Sequence, residues 1–227
     1  MPVRHNSENL RLILFAPFFA GVLFAVHSIL FPAPALAHPV SFKDGIGIMP
    51  NFSQERQDIE VNYSYSAQAA AGFSAIRLDD GGTRANFFIP HFNYRLYRNN
   101  QTESQTNVYI LAGLGLKRED GQTDGAGLLS AQFDYETRRI YTLLLAEQLQ
   151  GFDANSFTRV RTRAGVAPYL ADFHDFHTWI IAQVEYTPAM QHEYTITPML
   201  RFFYQNYLVE VGVSTRGDFS LSGIFHF

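Results

Sequence analysis

From residue 45 to the last residue, apolar and polar side chains alternate with a period of two, and short polar segments interrupt the alternation. Successive side chains of a β-strand point to opposite faces, so this period predicts strands with one apolar face and one polar face. The interrupting segments carry turn residues, as in 78–83 (LDDGGT), 117–125 (KREDGQTDG) and 214–218 (STRGD). The alternation therefore predicts an all-β chain, and its uniformity predicts a single domain over 38–227.

The turn signals divide this region into about twelve strands, most of them long enough to cross a bilayer when tilted. Ten strands remain possible if the weak early strands merge. The predicted strands are 45–49, 57–65, 70–78, 85–97, 106–117, 125–135, 138–148, 155–167, 177–187, 193–204, 207–214 and 218–227.

The first 37 residues have the organisation of a cleavable signal peptide. Arg4 and Arg11 precede the apolar run 12–31, and Ala35-Leu36-Ala37 matches a small-residue cleavage pattern. A run of this length also suits a retained membrane helix, but the prolines and small residues after it favour cleavage. The segment predicts export, with a mature chain that begins at His38.

Composition narrows the function classes. The net charge of −4 argues against nucleic acid as a partner, since there is no basic surplus to neutralise phosphates. The absence of cysteine excludes disulfides, thiolate metal sites and cysteine nucleophiles. The aromatic content is 15%, and seven tyrosines near predicted strand ends suit the interfacial girdles of a membrane barrel. They are Tyr63, Tyr65, Tyr94, Tyr97, Tyr186, Tyr194 and Tyr207.

Alternation alone is equally compatible with a soluble β-sandwich, whose apolar faces point inward. The export signal, the long strands and the aromatic strand ends favour a transmembrane antiparallel up-and-down β-barrel. Its apolar faces would contact lipid and its polar faces would line the interior.

The last seven residues, LSGIFHF, end in Phe227 with aromatic or apolar residues at alternate preceding positions. They resemble the assembly signal of Gram-negative outer-membrane β-barrels. Segments 38–42, 163–179 and 197–212 loosely resemble an uncharacterised family of exported barrel proteins. The resemblance implies a porin-like location in the outer membrane and recognition of the last strand by the barrel assembly machinery, with a periplasmic C-terminus and no established activity.

With a periplasmic C-terminus, successive connections between strands lie alternately on the outer and the periplasmic side of the membrane. Loops 50–56, 79–84, 118–124, 149–154, 188–192 and 215–217 would face outward, and loops 66–69, 98–105, 136–137, 168–176 and 205–206 would face the periplasm. All outward loops are short, whereas receptors usually carry long ones. A receptor or adhesin is therefore disfavoured.

Segment 157–170 carries Arg159, Arg161 and Arg163 on one strand face, with small apolar residues between them. Pairing 167 with 177 places Arg159 opposite Glu185 and Arg161 opposite Gln183, and leaves Arg163 opposite Ile181 as a free, anion-accessible charge. Pairing 204 with 207 places Arg201 opposite Glu210, and Glu210 then faces Ser222. The inward set is Glu60, His91, Asn93, Arg95, Asp134, Arg159, Arg161, Arg163, Gln183, Glu185, Thr195, Thr197, Arg201, Glu210 and His226.

This interior allows two readings. A narrow barrel can fill its lumen with cross-strand ion pairs and serve as a structural barrel. Alternatively, it is a small passive channel whose arginine ladder attracts small polar or anionic solutes, since opposed charges at a constriction can set selectivity. The number of strands alone does not decide between them.

A lipid hydrolase or acyltransferase of the outer membrane is the first alternative. Such an enzyme needs a nucleophile and a base together. His91 and Asn93 share a face, as do Ser220, Ser222 and His226, but no Ser–His pair shows a recognised motif. We therefore expect no enzymatic activity.

A metal-binding envelope protein is the second alternative. Cleavage after Ala37 would give His38 an α-amine beside its imidazole, and the 172–178 loop carries His174, Asp175 and His177 on the same side of the membrane. Imidazoles and a carboxylate suit copper or zinc. The simpler expectation is a solvated polar loop and no cofactor.

Overall fold

The computed structural model describes residues 38–79, 84–153, 156–172, 174–188, 190 and 192–227, and the proposed signal peptide lies outside them. Among the described residues, no helix is long and apolar enough to span a bilayer. The strands are β1 (Gly45–Phe52), β2 (Arg56–Ser64), β3 (Ala69–Asp79), β4 (Arg84–Asn100), β5 (Ser104–Glu119), β6 (Gln122–Thr137), β7 (Ile140–Gly151), β8 (Ser156–Val166), β9 (His177–Tyr186), β10 (Tyr194–Tyr204), β11 (Tyr207–Val213) and β12 (Phe219–His226).

The strands form a closed barrel in which each strand pairs antiparallel with its neighbours in sequence, and β1 pairs with β12 to complete the ring. The predicted all-β, up-and-down barrel is confirmed, and its strand number is twelve rather than ten. Closure matters physically because an open edge would leave backbone N–H and C=O groups without partners.

The connections lie at the two ends of the barrel as parity predicts. We call the end that carries Phe227 and the connections β2–β3, β4–β5, β6–β7, β8–β9 and β10–β11 the terminal end, and the opposite end the far end. At the far end, Asp120 and Gly121 join β5 to β6 with φ values of 48° and 80°. An Asp-Gly pair suits this two-residue turn because both positions need a positive φ.

The outer face is apolar along the strands. Ile110, Leu129, Ile180, Ile196 and Leu200 are all outward-facing and exposed. The seven tyrosines predicted as girdle residues also face outward; at the far end Tyr186 and Tyr194 stack with ring centroids 4.7 Å apart. An exposed apolar surface that runs around a barrel, with aromatics near the strand ends, has the character of a lipid-facing surface.

The interior is divided into an apolar part and a charged part. Towards the far end, inward side chains of β3 to β8 pack into an apolar cluster, which Met190 from the β9–β10 connection joins. Its members are Ile76, Leu78, Ala85, Phe87, Ile89, Leu111, Ala126, Leu128, Leu149, Phe157 and Met190. This cluster fills one side of the barrel, so any space along the axis is displaced towards the other side.

Candidate functional site

The charged part of the interior is a network of ion pairs carried by inward residues of the strands. Arg159, Asp134, Gln183, Arg201 and Glu210 are each at most 8% exposed. Their inward direction confirms the polarity that alternation predicts for these strands. A buried charge is stable only when it is paired and hydrogen-bonded, so the partners of each group decide what the lumen can do.

The β8–β9 register differs from the predicted one by two residues. Arg161 lies opposite Glu185, with Nε 2.7 Å from Oε2, and Arg163 lies opposite Gln183, with Nε 2.8 Å from Oε1. The predicted pairs Arg159–Glu185 and Arg161–Gln183 are therefore wrong. The β8–β9 pairing begins at Val166 and Ile180 rather than at 167 and 177, and a slip of two residues preserves the faces while changing every partner.

Glu210 is the acceptor at the centre of one group of interior contacts. It receives hydrogen bonds from Arg201 Nε at 2.8 Å, from Arg163 Nη1 at 2.8 Å and from the Ser222 hydroxyl at 2.7 Å. The predicted pairing of Arg201 with Glu210 and of Glu210 with Ser222 is confirmed. The prediction that Arg163 is a free charge is wrong, because its guanidinium reaches across two intervening strands to Glu210.

A second group of contacts bridges the lumen. Arg56 on β2 donates from Nη1 to Glu147 Oε1 on β7 at 2.6 Å, although β2 and β7 lie five strands apart in the twelve-strand ring. Arg56 is also held by Asp58, with Nε 2.9 Å from Oδ1, and Glu147 also accepts from Arg159 Nη2 at 2.9 Å. Strands five apart face each other, so this ion pair is a crossbar over the barrel axis.

Sequence reasoning missed both ends of this crossbar. Arg56 fell in a predicted loop, although it is the first residue of β2. Glu147 stands directly opposite Arg159 in the β7–β8 hairpin, but pairing the predicted strand ends 148 and 155 would have placed Leu144 opposite Arg159 instead. The crossbar itself joins strands that share no hairpin, and therefore no local register argument leads to it.

Two cavities lie in the interior on either side of Arg56. The larger has a volume of about 170 Å³ and extends between the charged residues of several strands and His38. The smaller, of about 40 Å³, lies towards the far end and is lined by residues such as Glu185, Thr195 and Ser220. Both cavities are lined by Asn51, Arg56 and Arg161, so these side chains form the partition between them.

The segment 38–44 enters the barrel at the terminal end. Val40 is fully buried against Ala70 and Tyr109, and the backbone N–H of Ser41 donates to the Ser64 hydroxyl at 3.0 Å. His38 lines the larger cavity. We call residues 38–44 the N-terminal segment; it covers part of the terminal end of the lumen.

His38 is fixed by interior groups and not by the surface. Its Nε2 lies 3.3 Å from Asn107 Nδ2 and its Nδ1 lies 3.7 Å from Asp134 Oδ1. Burial lowers the pKa of the His38 imidazole, and the opposing attraction of Asp134 only partly offsets this effect. The neutral imidazole is therefore the form that the docked segment favours.

Two further predicted lumen residues, Asp134 and Arg95, lie towards this segment. Asp134 accepts from Asn107 Nδ2 at 2.7 Å, and Arg95 lies beside a β-bulge in β4. Beyond the bulge Arg98, which sequence reasoning left out, donates to Asn107 Oδ1 at 2.6 Å and to the Tyr109 hydroxyl at 2.9 Å. A bulge shifts the alternation by one residue, which explains why a strict period of two misplaces Arg98.

The proposed metal ligands are not brought together. His38 lies inside the lumen, whereas the His177 ring packs on Tyr169 and Trp179 in the β8–β9 region, and Asp175 accepts from the Asp172 N–H. His174 lies in the same exposed connection. Over the part of the chain that the structure describes, no group of three or more His, Cys, Asp or Glu side chains is placed to hold a metal ion.

The residues considered for hydrolysis are also separated from one another. The ring nitrogens of His91 and His226 are buried and have no hydrogen-bond partner within the described ranges. Ser222, the nearest candidate nucleophile in sequence to His226, donates to Glu210 instead. These residues therefore form no hydrogen-bonded Ser–His pair.

Comparison with solved structures finds similarity to porin structures. A KdgM porin in complex with disordered oligogalacturonate is 13% identical, with 81% of this chain and 98% of that chain covered at a TM-score of 0.46. A structure of KdgM porin alone gives 13% identity, 81% and 99% coverage and a TM-score of 0.45. No family model and no curated protein matches the sequence. The barrel described above rests on the strand pairing of this chain.

Proposed function

We propose that this chain is an outer-membrane β-barrel that works as a narrow passive channel for small polar solutes, with a preference for anions. The observation that carries this proposal is the pair of cavities along the axis of a barrel whose outside is apolar. Charged residues line both cavities, and the partition between them presents two guanidinium groups. Such a lumen favours small charged or hydrogen-bonding solutes over apolar ones.

The size of the space limits the solutes. A cavity of about 170 Å³ is close to one that holds a single benzene-sized molecule. The apolar cluster fills one side of the interior, and the crossbar bridges the lumen beside it. We therefore expect passage of ions and very small solutes and rejection of disaccharides.

Swelling of proteoliposomes tests this proposal. Vesicles carrying the purified protein should swell rapidly in iso-osmotic glycine and slowly in sucrose, while protein-free vesicles swell slowly in both. Equal, slow swelling in the two solutes would exclude a channel. The second candidate is then a structural barrel, which the crossbar and the apolar cluster favour.

The location is proposed on separate grounds. The export signal and the terminal Phe227 suit delivery to the barrel assembly machinery of a Gram-negative outer membrane. In the structure Phe227 exchanges two backbone hydrogen bonds with Ile46, at 2.9 and 3.0 Å, across the β1–β12 seam. Fractionation should find the protein in the outer membrane, and Phe227→Ala should lower the amount of folded protein there. Recovery from the soluble periplasm would exclude a membrane protein.

A further inference from the structure

The partition between the two cavities carries an inference about selectivity. A solute moving from the smaller cavity to the larger one meets the three side chains that line both, Asn51, Arg56 and Arg161. Asp58 and Glu147 line only the larger cavity, and Glu185 lines only the smaller one. Two guanidinium groups are therefore exposed to both cavities, whereas each of their bonded carboxylates lines one cavity only.

The two arginines are held in position by different kinds of contact. Arg161 is bound to Glu185 on the adjacent strand β9. Arg56 is bound across the lumen to Glu147, and its exposed fraction is only 4%. A guanidinium with two or more charge-assisted hydrogen bonds is well ordered, so the crossbar is a fixed obstacle in the passage.

The crossbar lies beside the apolar cluster. Leu149 on β7 and Phe157 on β8 belong to the apolar cluster that fills the far end beside the crossbar. Arg56 lies over the Phe157 ring, with Cζ 5.9 Å from the ring centroid. The crossbar therefore spans from the charged side of the lumen to its apolar filling.

We infer that the Arg56–Glu147 ion pair is the constriction of this channel and that Arg56, with Arg161 beside it, is the residue that determines its anion selectivity. This inference rests on the proposed channel function. Removing either partner opens the crossbar, but the two removals change the local charge in opposite directions. That contrast separates a constriction from a general effect of lumen charge.

Single-channel recordings of the purified protein and its variants test the inference. Both Arg56→Gln and Glu147→Gln should raise the unit conductance by about twofold or more. Arg56→Gln should lower the anion-to-cation permeability ratio, whereas Glu147→Gln should raise it. Arg56→Lys keeps the charge but loses the forked hydrogen bonds, so it should raise conductance with little change in selectivity.

Arg201→Gln is the matched control, because it removes one guanidinium from the same larger cavity but from a pair on neighbouring strands. It should raise the conductance by clearly less than Arg56→Gln does. If Arg201→Gln and Arg56→Gln have the same effect, or if neither Arg56 nor Glu147 substitutions change conductance, the constriction lies elsewhere and the inference is overturned.

The current recordings distinguish a channel whose constriction lies elsewhere from a barrel that does not conduct. If the unmodified protein conducts and the crossbar variants have the same conductance and selectivity, the protein is a channel but the crossbar is not its constriction. If the unmodified protein gives no current and Glu147→Gln conducts, the crossbar blocks the lumen and the unmodified protein is not a passive channel. Folding of every variant is checked by its heat-dependent electrophoretic migration; if Arg56→Gln does not fold, the contrast between Arg56→Lys and Glu147→Gln decides.

Discussion

Glu210 shows how single residues make a charged interior stable. Its carboxylate is 2% exposed and accepts from Arg163, Arg201 and Ser222. The Arg201 guanidinium also lies over the Tyr141 ring, with Cζ 4.0 Å from the ring centroid. One carboxylate thus forms direct ion pairs with two guanidinium groups of the interior.

Replacement of Glu210 by glutamine should therefore be strongly destabilising. Glu210→Gln leaves Arg163 and Arg201 without their shared carboxylate, and we expect the free energy of unfolding to fall by about 3–5 kcal/mol. Urea unfolding of the purified protein in detergent or lipid measures the change. Asp172→Asn, which removes an exposed partner of Arg138, is the control and should leave stability unchanged. A loss below about 1 kcal/mol for Glu210→Gln would show that the contacts are as weak as surface ion pairs.

For single residues, the sequence predicts the strand face of a side chain better than the residue that lies opposite it. The period of two assigns Arg159, Arg161 and Arg163 to the interior whatever the register is. Their partners depend on where each hairpin turns: the two-residue β10–β11 connection leaves no freedom, whereas the ten-residue loop 167–176 allows the slip of two residues found for β8 and β9. Contacts over the axis, such as Arg56 with Glu147, depend on barrel closure and are beyond any local pattern.

Among the elements, the N-terminal segment is the one whose docking depends on a titratable group. His38 lies near Asp134 on β6, Arg98 on β4, Gln105 on β5, Arg201 on β10 and His226 on β12. Because burial lowers the pKa of His38 below its usual value of 6.5, the undocked segment binds a proton more readily than the docked one. Docking is therefore strongest above that value and weakens as the pH falls below it.

Hydrogen exchange of the backbone amides of 40–42 measures this dependence. Protection, corrected for the intrinsic exchange rate, should be lower at about pH 5 than at about pH 7.5. His38→Asn should remove most of the difference, whereas His192→Asn, at an exposed site of the far end, should not. Equal or greater protection at the lower pH would contradict the placement of a neutral His38 in the lumen.

The boundary between residues 37 and 38 gives a second prediction for this element. If residues 1–37 are a cleaved signal peptide, the intact mass of protein purified from membranes should correspond to a chain that begins at His38. Ala37→Arg should block processing, because the cleavage site needs small residues. A mass that includes the apolar run 12–31 would show that the run is retained.

The polarity of the whole molecule is inverted relative to that of a soluble protein. Apolar residues face outward around the ring, and charged residues face one another inside. The period of two predicts strands with one apolar and one polar face, and the long strands and the export signal favour the inverted barrel over a sandwich. The extent to which the lumen is filled was not predictable, since packing of the far end by Met190 and bridging by Arg56 are long-range contacts.

The partly filled lumen should conduct ions. Planar-bilayer recording of the purified protein under a salt gradient tests it most directly. We expect small, discrete current steps and a reversal potential of the sign that marks anion preference, because the partition presents Arg56 and Arg161. Folded protein that inserts into the bilayer and gives no current steps would exclude a channel, and current steps with a clear preference for cations would exclude an anion-selective lumen.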